Sequence, residues 1–464
     1  MTRQSRALAL GGLICTAVAA CSVGPTYHRP DIAPPTQWRE GPQAAATSPW
    51  PEAGWWHGFG SSQLDELIAE AEHNNDDLAG AIARVQEADA QVRIAGAPLF
   101  PTLDLGADAT RQRTAVPGSG PRLTNIFNPQ FTASYELDFW GKNRALRNAA
   151  RATAMASRFD QQTVALTVVR SVAGTYFQAL EFLDRIRVAR QNLENGQKIL
   201  HGLELEQSAG TATGLDVAQQ ETAVALLDAA LPPLLQQYRQ SVYALAVLVG
   251  KTPESIDVTS GSLTEISSPA IAAGLPSQLL SRRPDVAEAE QQLVAANADI
   301  TVARAALFPD IALTASGGYE SSRLASLISP ANRVYALSAG LTQPIFHGGA
   351  LRGQVSYSEA RYTELLTTYH KTVLMAFSNV ESALVAAQQT ADQQERQRRA
   401  VAKARRAFEF AQTQMSAGTV NILTVLNTEN ALFSAQDVLV QVEYSHLQAL
   451  IDLYTALGGG WQQG

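Results

Sequence analysis

The sequence predicts a mainly α-helical protein that also contributes strands to a membrane β-barrel. It is built from two copies of a helix–β-hairpin–long helix–helix unit. Three observations lead there. Short phrases recur 208 residues apart (307 − 99). Each copy holds two segments in which every second residue is apolar. Each pair of segments is followed by a proline-free run of helix formers, much longer than an ordinary helix.

The repeat is anchored at five places. "LFP" at 99–101 returns at 307–309, and "SAGTATGLDV" at 208–217 returns as "SAGTVNILTV" at 416–425. Asp77 before an Ala-rich stretch matches Asp285, and "LVG" at 248–250 matches "LGG" at 457–459 within one residue. "DFWGK" at 138–142 matches "IFHGG" at 345–349 with a shift of 207. Two units follow, at 62–250 and 276–459. Residues 251–275, rich in Ser, Pro and Gly, read as a connector. Residues 21–61 read as an extended N-terminal arm and 460–464 as a flexible tail.

The first 20 residues read as a lipoprotein signal peptide. Arg3 and Arg6 give a positive start, and the apolar run 7–20 is too short to span a bilayer. It ends in "VAAC", so Cys21 is expected to become the lipidated first residue. A plain secretory signal cut near Ala20 is the alternative reading. Cys15 follows bulky Ile14 and fits a signal peptidase less well. Ser22 stands where an Asp would retain the protein at the inner membrane, which points to the outer membrane. These two cysteines are the only ones, so the body holds no disulfide framework. The formal charge of −8 becomes −10 once Arg3 and Arg6 are removed (−8 − 2), which argues against a nucleic-acid partner. No run of about 20 apolar residues remains for a transmembrane helix.

Strands are expected at about 101–112, 130–139, 309–320 and 333–345. In the first, Leu103, Leu105, Ala107 and Ala109 alternate with Asp104, Gly106, Asp108 and Thr110. In the second, Phe131, Ala133, Tyr135, Leu137 and Phe139 alternate with polar residues. Ile311, Leu313 and Ala315, then Tyr335, Leu337, Ala339 and Leu341, repeat the pattern. A period of two gives one apolar and one polar face, and the lengths suit tilted membrane strands. A soluble hairpin packed on a core is the competing reading. Four strands cannot close a barrel, and open edges are not viable in lipid. Two, three or four copies would supply eight, twelve or sixteen strands, and the alternation does not choose among them.

Helices are expected at about 141–209, 215–249, 349–416 and 421–456. One over 142–208 would be about 100 Å long. Gly210 and Gly418 suit the left-handed residue that ends a helix. Pro232-Pro233 should kink the return helix of the first copy. Such helices suit a hollow, water-filled cylinder; an antiparallel coiled coil is the alternative. Phe100-Pro101 and Phe308-Pro309 stop a helix and start a strand, since the residue before Pro avoids the helical region. With Phe139, Trp140 and Phe346 they mark a barrel–helix junction and an aromatic belt.

Together these features resemble the TolC-type outer-membrane efflux channels, and more closely the NodT-like outer-membrane lipoproteins of resistance–nodulation–division efflux systems. The resemblance rests on "CSVGPTYHRP", "WWHGFGSSQLDELI", "YELDFWGKNRA", "LLSRRPDVAEAEQQLVAANADITVARAALFP", "PIFHGGALR" and "LGGGW". It implies a homotrimer with one twelve-stranded barrel on an α-helical periplasmic tunnel. It also implies a periplasmic adaptor protein, an inner-membrane transporter and outer membrane lipid as partners. The implied function is the passive exit duct of a tripartite efflux pump for drugs or other small solutes. A type I protein-secretion duct is the alternative on the same scaffold. The resemblance places Gly210, Gly214, Asp216 and Gly418 at a closed periplasmic tip and makes Leu423 an apolar constriction. Asn427 and Asn430 stand where relatives carry Asp and often Arg, so the tip is expected to close through Leu423 and neutral hydrogen bonds at Asn427, with Asp216 the nearest charge; the alternative is that Asn427 and Asn430 only face neighbouring helices. His347 stands where relatives commonly carry Asp.

Nothing in the sequence points to an enzyme. No histidines pair at i, i+4, and zincin, P-loop and nucleophile-elbow motifs are absent. "GSG" at 118–120 reads as a hairpin turn. No cofactor or metal is expected, apart from the covalent lipid on Cys21. The basic run at 395–406 reads as a solvated helix face, with adaptor contact as the sharper reading. Trp38, Trp50, Trp55 and Trp56 are expected to pin the arm to the helices.

Overall fold

The computed structural model describes residues 23–39, 52–116, 118, 120–259, 261–269, 271, 273–274 and 276–461. Cys21, the expected signal peptide and Trp50 lie outside the described residues. The chain divides into two compact units. One comprises the start of the chain to Asp31, Arg84–Arg158 and Glu288–Lys371; the other comprises Ile32–Ala83, Phe159–Ala287 and Thr372 to the end.

The helices are α1 (Ser62–Asn74), α2 (Asp76–Gly96), α3 (Lys142–Ser208), α4 (Gly214–Ala229), α5 (Leu231–Leu248), α6 (Pro276–Leu279), α7 (Pro284–Ala305), α8 (Ala350–Ser416) and α9 (Ile422–Ala456). Ser61 caps α1, its Oγ accepting from Leu64 N–H at 3.3 Å, and Asn75 caps α2, its Oδ1 accepting from Leu78 N–H at 3.0 Å. The return helix of the first copy is interrupted at Ala230. Pro232 and Pro233 have no N–H for the carbonyls of Asp228 and Ala229, and the Ala230 N–H turns to Asp228 and Leu226 instead.

In the unit that holds most of α3, Phe59, Leu64, Phe177, Leu180, Leu245 and Ile451 are fully buried. Trp55 stacks on Tyr454 at 4.7 Å and Phe59 meets Phe177 edge-on at 5.1 Å. The connector is part of this core: Val258 and Leu263 are buried in it. Asp184 fixes it by accepting from Ser262 Oγ at 3.0 Å and Leu263 N–H at 2.8 Å, while Arg187 neutralises its charge. Trp38 is buried, and its Nε1 donates to the Gly274 carbonyl at 2.9 Å. The tail is not wholly loose, because Trp461 packs edge-on to Phe159 at 5.6 Å.

The strands are β1 (Thr102–Val116), β2 (Gly120–Glu136), β3 (Asp310–Tyr319) and β4 (Arg333–Thr342), all antiparallel in the order β1-β2-β3-β4. The first hairpin is longer than the alternation suggested. Arg111 faces Asn125 and Arg113 faces Leu123 across a ladder that runs on to Val116–Gly120. Polar residues on both faces there hide the period of two. Gly118 and Gly120 take φ of +88° and +74°, so the turn is as read, but Gly120 already begins β2. At its other end β2 stops at Glu136, before the expected 139. Asp138 leaves the sheet to cap α3, accepting from Asn143 N–H at 2.8 Å and Arg144 N–H at 2.9 Å. Phe139 and Trp140 therefore lie in the link between strand and helix, not in the strand.

Candidate functional site: a two-faced sheet and paired helical turns

The sheet's register decides what its faces can do. Directly paired residues share a face. One row runs Leu103–Ala133–Ala315–Leu337, the next Leu105–Phe131–Gly317–Tyr335. Tyr135–Leu313–Ala339 and Ile311–Leu341 complete the same face. The rows between them carry Asp104–Thr132–Ser316–Ala336 and Ser134–Thr314–Ser338. Asp108, Glu136 and Asp310 fall in this second set. The apolar face is exposed at Leu103, Leu105, Tyr335, Leu337 and Leu341. β1 and β4 each pair on one side only. A single chain thus presents an uncovered apolar face, which is costly in water but suits lipid, and two open edges, which are costly in lipid until copies join.

The junction residues fall into two groups. Phe100 has φ −123° and ψ 152°, the extended geometry that Pro101 imposes on its predecessor. Trp140 stacks on Phe308 at 4.7 Å, and its Nε1 donates to the Pro309 carbonyl at 2.8 Å, tying the two copies together at the foot of the sheet. Phe139 packs edge-on to Trp140 at 5.0 Å. Phe100 and Phe346 are exposed.

The two turns at the far ends of the long helices share the same pair of closing hydrogen bonds, and the first adds one from Ala212 N–H to Glu206. Gly210 and Gly418 take φ of +73° and +71°. Gly210 N–H donates to Gln207 and Thr211 N–H to Glu206; Gly418 N–H donates to Met415 and Thr419 N–H to Gln414. Both are Schellman ends, which need a left-handed residue that only glycine adopts cheaply. The helices that follow start differently. Thr213 and Asp216 form a capping box, the Thr213 N–H donating to Asp216 Oδ2 at 2.9 Å. Hydrogen bonds from the Thr213 side chain and backbone hold the Asp216 carboxyl below its usual range. In the second turn Asn421 caps α9, its Oδ1 accepting from Thr424 N–H at 3.2 Å. Gly214 is the first residue of α4 and has no left-handed φ.

Leu203, Val217, Phe408, Ala411, Ile422, Val425, Leu426 and Leu432 bring both turns into one apolar cluster. Leu423, Asn427 and Asn430 point away from it and are exposed, Leu423 by 49 %. Its counterpart in the first copy, Leu215 (423 − 208), is 66 % exposed. Sequence reasoning passed over Leu215, although the repeat offset identifies it. It also passed over Glu429, which is buried and lacks a partner for its Oε1. Among the described residues no group of His, Cys, Asp or Glu could hold a metal, and no helix is long and apolar enough to cross a membrane.

The outer membrane efflux protein profile matches residues 67–251 and 275–459. The chain belongs to this family. Family members are outer-membrane channels and transport proteins, so this chain is an outer-membrane efflux protein with a TolC-like fold. It is 41 % identical over 451 residues to the pyoverdine export outer membrane protein OpmQ of Pseudomonas putida, covering 96 % of this chain and 95 % of that one. It is 34 % identical over 466 residues to the cation efflux system protein CusC of Escherichia coli, covering 97 % and 98 %. The solved outer-membrane channel OprN superposes with a TM-score of 0.88 at 26 % identity, covering 96 % of this chain and all of that one (100 %). Family channels are trimeric components of tripartite pumps.

Proposed function

We propose that the protein is the passive outer-membrane exit duct of a tripartite efflux pump, conducting drugs or other small solutes from periplasm to exterior. The observation that carries this reading is the sheet: one face apolar from the foot as far as Ala109 and Phe127, one polar face with four carboxylates, and two edges open for pairing. Three copies would close twelve strands, apolar side to lipid and polar side to a wet pore. A periplasmic adaptor and an inner-membrane resistance–nodulation–division transporter would complete the pump and supply its energy.

The paired turns would form the periplasmic tip. Leu423 would make an apolar ring, Asn427 a neutral hydrogen-bonding one, and Asp216 the nearest charge, with Asn430 adding no charge where an Arg would. Gly210, Gly214 and Gly418 would shape the turns. Pyoverdine and cation export by OpmQ and CusC suggest that the duct itself selects little and the transporter chooses the cargo.

Lipidation of Cys21 fits the path of the arm. A Cβ on Gly24 would lie 1.7 Å from Thr301 Oγ1, so only glycine fits against α7 there. Asn297 Nδ2 donates to the Pro25 carbonyl at 3.1 Å, and Arg29 pairs with Glu290 at 3.1 Å. Thr301 lies about 6 Å of helix rise from the end of α7 at Ala305, and Pro309 follows four residues later. From Gly24, three residues of chain reach back to Cys21, about 10 Å when extended. The lipid could therefore sit beside the foot of the sheet, where the membrane surface is expected.

Deleting the gene and following dye and antibiotic accumulation alongside secretion of large proteins tests the reading. Raised accumulation with normal protein secretion is the expected result. Lost protein secretion with normal accumulation would favour the type I duct and overturn the efflux reading.

A further inference from the structure

The second helical turn contains a group that the duct does not require. Ile422, Val425, Leu426, Glu429 and Leu432 are buried on one face of α9. At about 100° per residue, Glu429 falls in the middle of that stripe, between aliphatic neighbours one turn away on each side. It is 4 % exposed. Leu423, Asn427 and Asn430 share the other side of the helix. A displacement of α9 relative to the seam that withdraws those three side chains would also draw Glu429 out of it.

Buried carboxylates elsewhere on these helices are paired with arginine. Glu181 holds Arg185 at 3.3 Å, Asp184 holds Arg187, and Glu443 holds Arg398 at 3.1 Å. Glu429 has no such pair, and its Oε1 has no hydrogen-bond partner at all. The charged groups on the helices of this seam are engaged elsewhere or face solvent. On α3, Lys198 pairs with Glu194 at 2.7 Å and His201 approaches Glu204 at 3.6 Å. On α4, Asp216 is held in its capping box and Glu221 is exposed. On α8, Arg406 lies over the Phe410 ring at 5.3 Å, and Lys403, Arg405 and Glu409 are exposed. Burial alone acts on the Glu429 carboxyl, pushing it up to about 7.

We propose that Glu429 is a proton-operated lock on the tip: protonated, it seats α9 in the apolar seam and favours closure, and its ionisation favours displacement of the helix and opening. This rests on the duct reading above. Closing moves the carboxyl from water, where its affinity is that of an ordinary Glu, to a site of higher affinity, so closing takes up a proton. The closed form is therefore favoured as pH falls through about 7 and loses that advantage as pH rises. One such carboxyl changes the open-to-closed ratio by at most about tenfold per pH unit.

The test is conductance of the purified full chain in planar bilayers between about pH 6 and about pH 8, a range set by the raised carboxyl. Wild type should conduct more at the alkaline end. Glu429→Gln and Glu429→Leu, both neutral, should stay at the wild-type acid level throughout. Two variants are used so that one packing defect does not decide the result, and each is checked for trimer formation by native gel. A pH-insensitive wild type, or neutral variants that keep its pH profile, would overturn the lock and leave the duct standing. No current under any condition would overturn the duct reading and the lock with it.

Discussion

The two copies of the repeat differ most where their backbones are most alike. α3 and α8 are each 67 residues long, and both end in the same glycine turn with the same pair of closing hydrogen bonds. Yet Phe177 on α3 is fully buried, whereas its counterpart Val385 on α8 (177 + 208) is 38 % exposed. The strands of the first hairpin have 15 and 17 residues, those of the second 10 and 10. The return helix breaks at Ala230 in the first copy, while α9 runs 35 residues unbroken in the second. The lesson is a division of labour. Phe-Pro steps and left-handed glycines hold the skeleton twice over, and the side chains between them are free to diverge. The first copy supplies the spine of the helical core. The second supplies the exposed Leu423, Asn427 and Asn430 and the buried, unpaired carboxylate.

Substitutions can break or sharpen that contrast. The largest effect is expected at the spine. Phe177→Ala should cost about 3–5 kcal/mol, the usual price of emptying an aromatic site in a core. Val385→Ala, at the matching place, should cost less than about 0.5 kcal/mol, as at an ordinary surface site. Equal losses in thermal unfolding would erase the distinction between the copies. Next comes the sheet. Leu337→Arg puts a charge mid-strand on the apolar face and should cost about 2–4 kcal/mol if that face meets lipid. Urea unfolding of the protein folded into liposomes measures this, and a neutral result would mean that the face packs on protein. After the spine and the sheet comes the cap: Asn421→Ala should lose about 1 kcal/mol from the start of α9. Hydrogen exchange at the Thr424 amide should rise with it, and unchanged protection would mean that packing alone holds the turn.

Much of this was legible from periodicity and punctuation. The apolar alternation in 101–109 and 335–341 corresponds to one face of the observed register, because a strand buries or exposes in steps of two. Gly210 and Gly418 could be read because left-handed helix ends leave few other choices. The long arms of β1 and β2 beyond residue 112 could not, because Arg111, Arg113 and Asn125 put polar side chains on the otherwise apolar face. Asp138 read as a polar strand residue, since nothing local tells a strand carboxylate from a helix cap until Asn143 and Arg144 are seen to bond it. Glu429 lay hidden because a lone Glu in "LNTENALF" reads as a solvated helix position. Only the tertiary packing of α9 shows that it faces inward.

The central claim is a duct narrowed at the turn of the second copy, and single-channel conductance in planar bilayers tests it most directly. Leu423→Ala and Asn427→Ala should each raise the conductance of the purified protein, and Leu423→Ala should raise it more than Leu215→Ala does. Unchanged conductance in both second-copy variants would contradict the account.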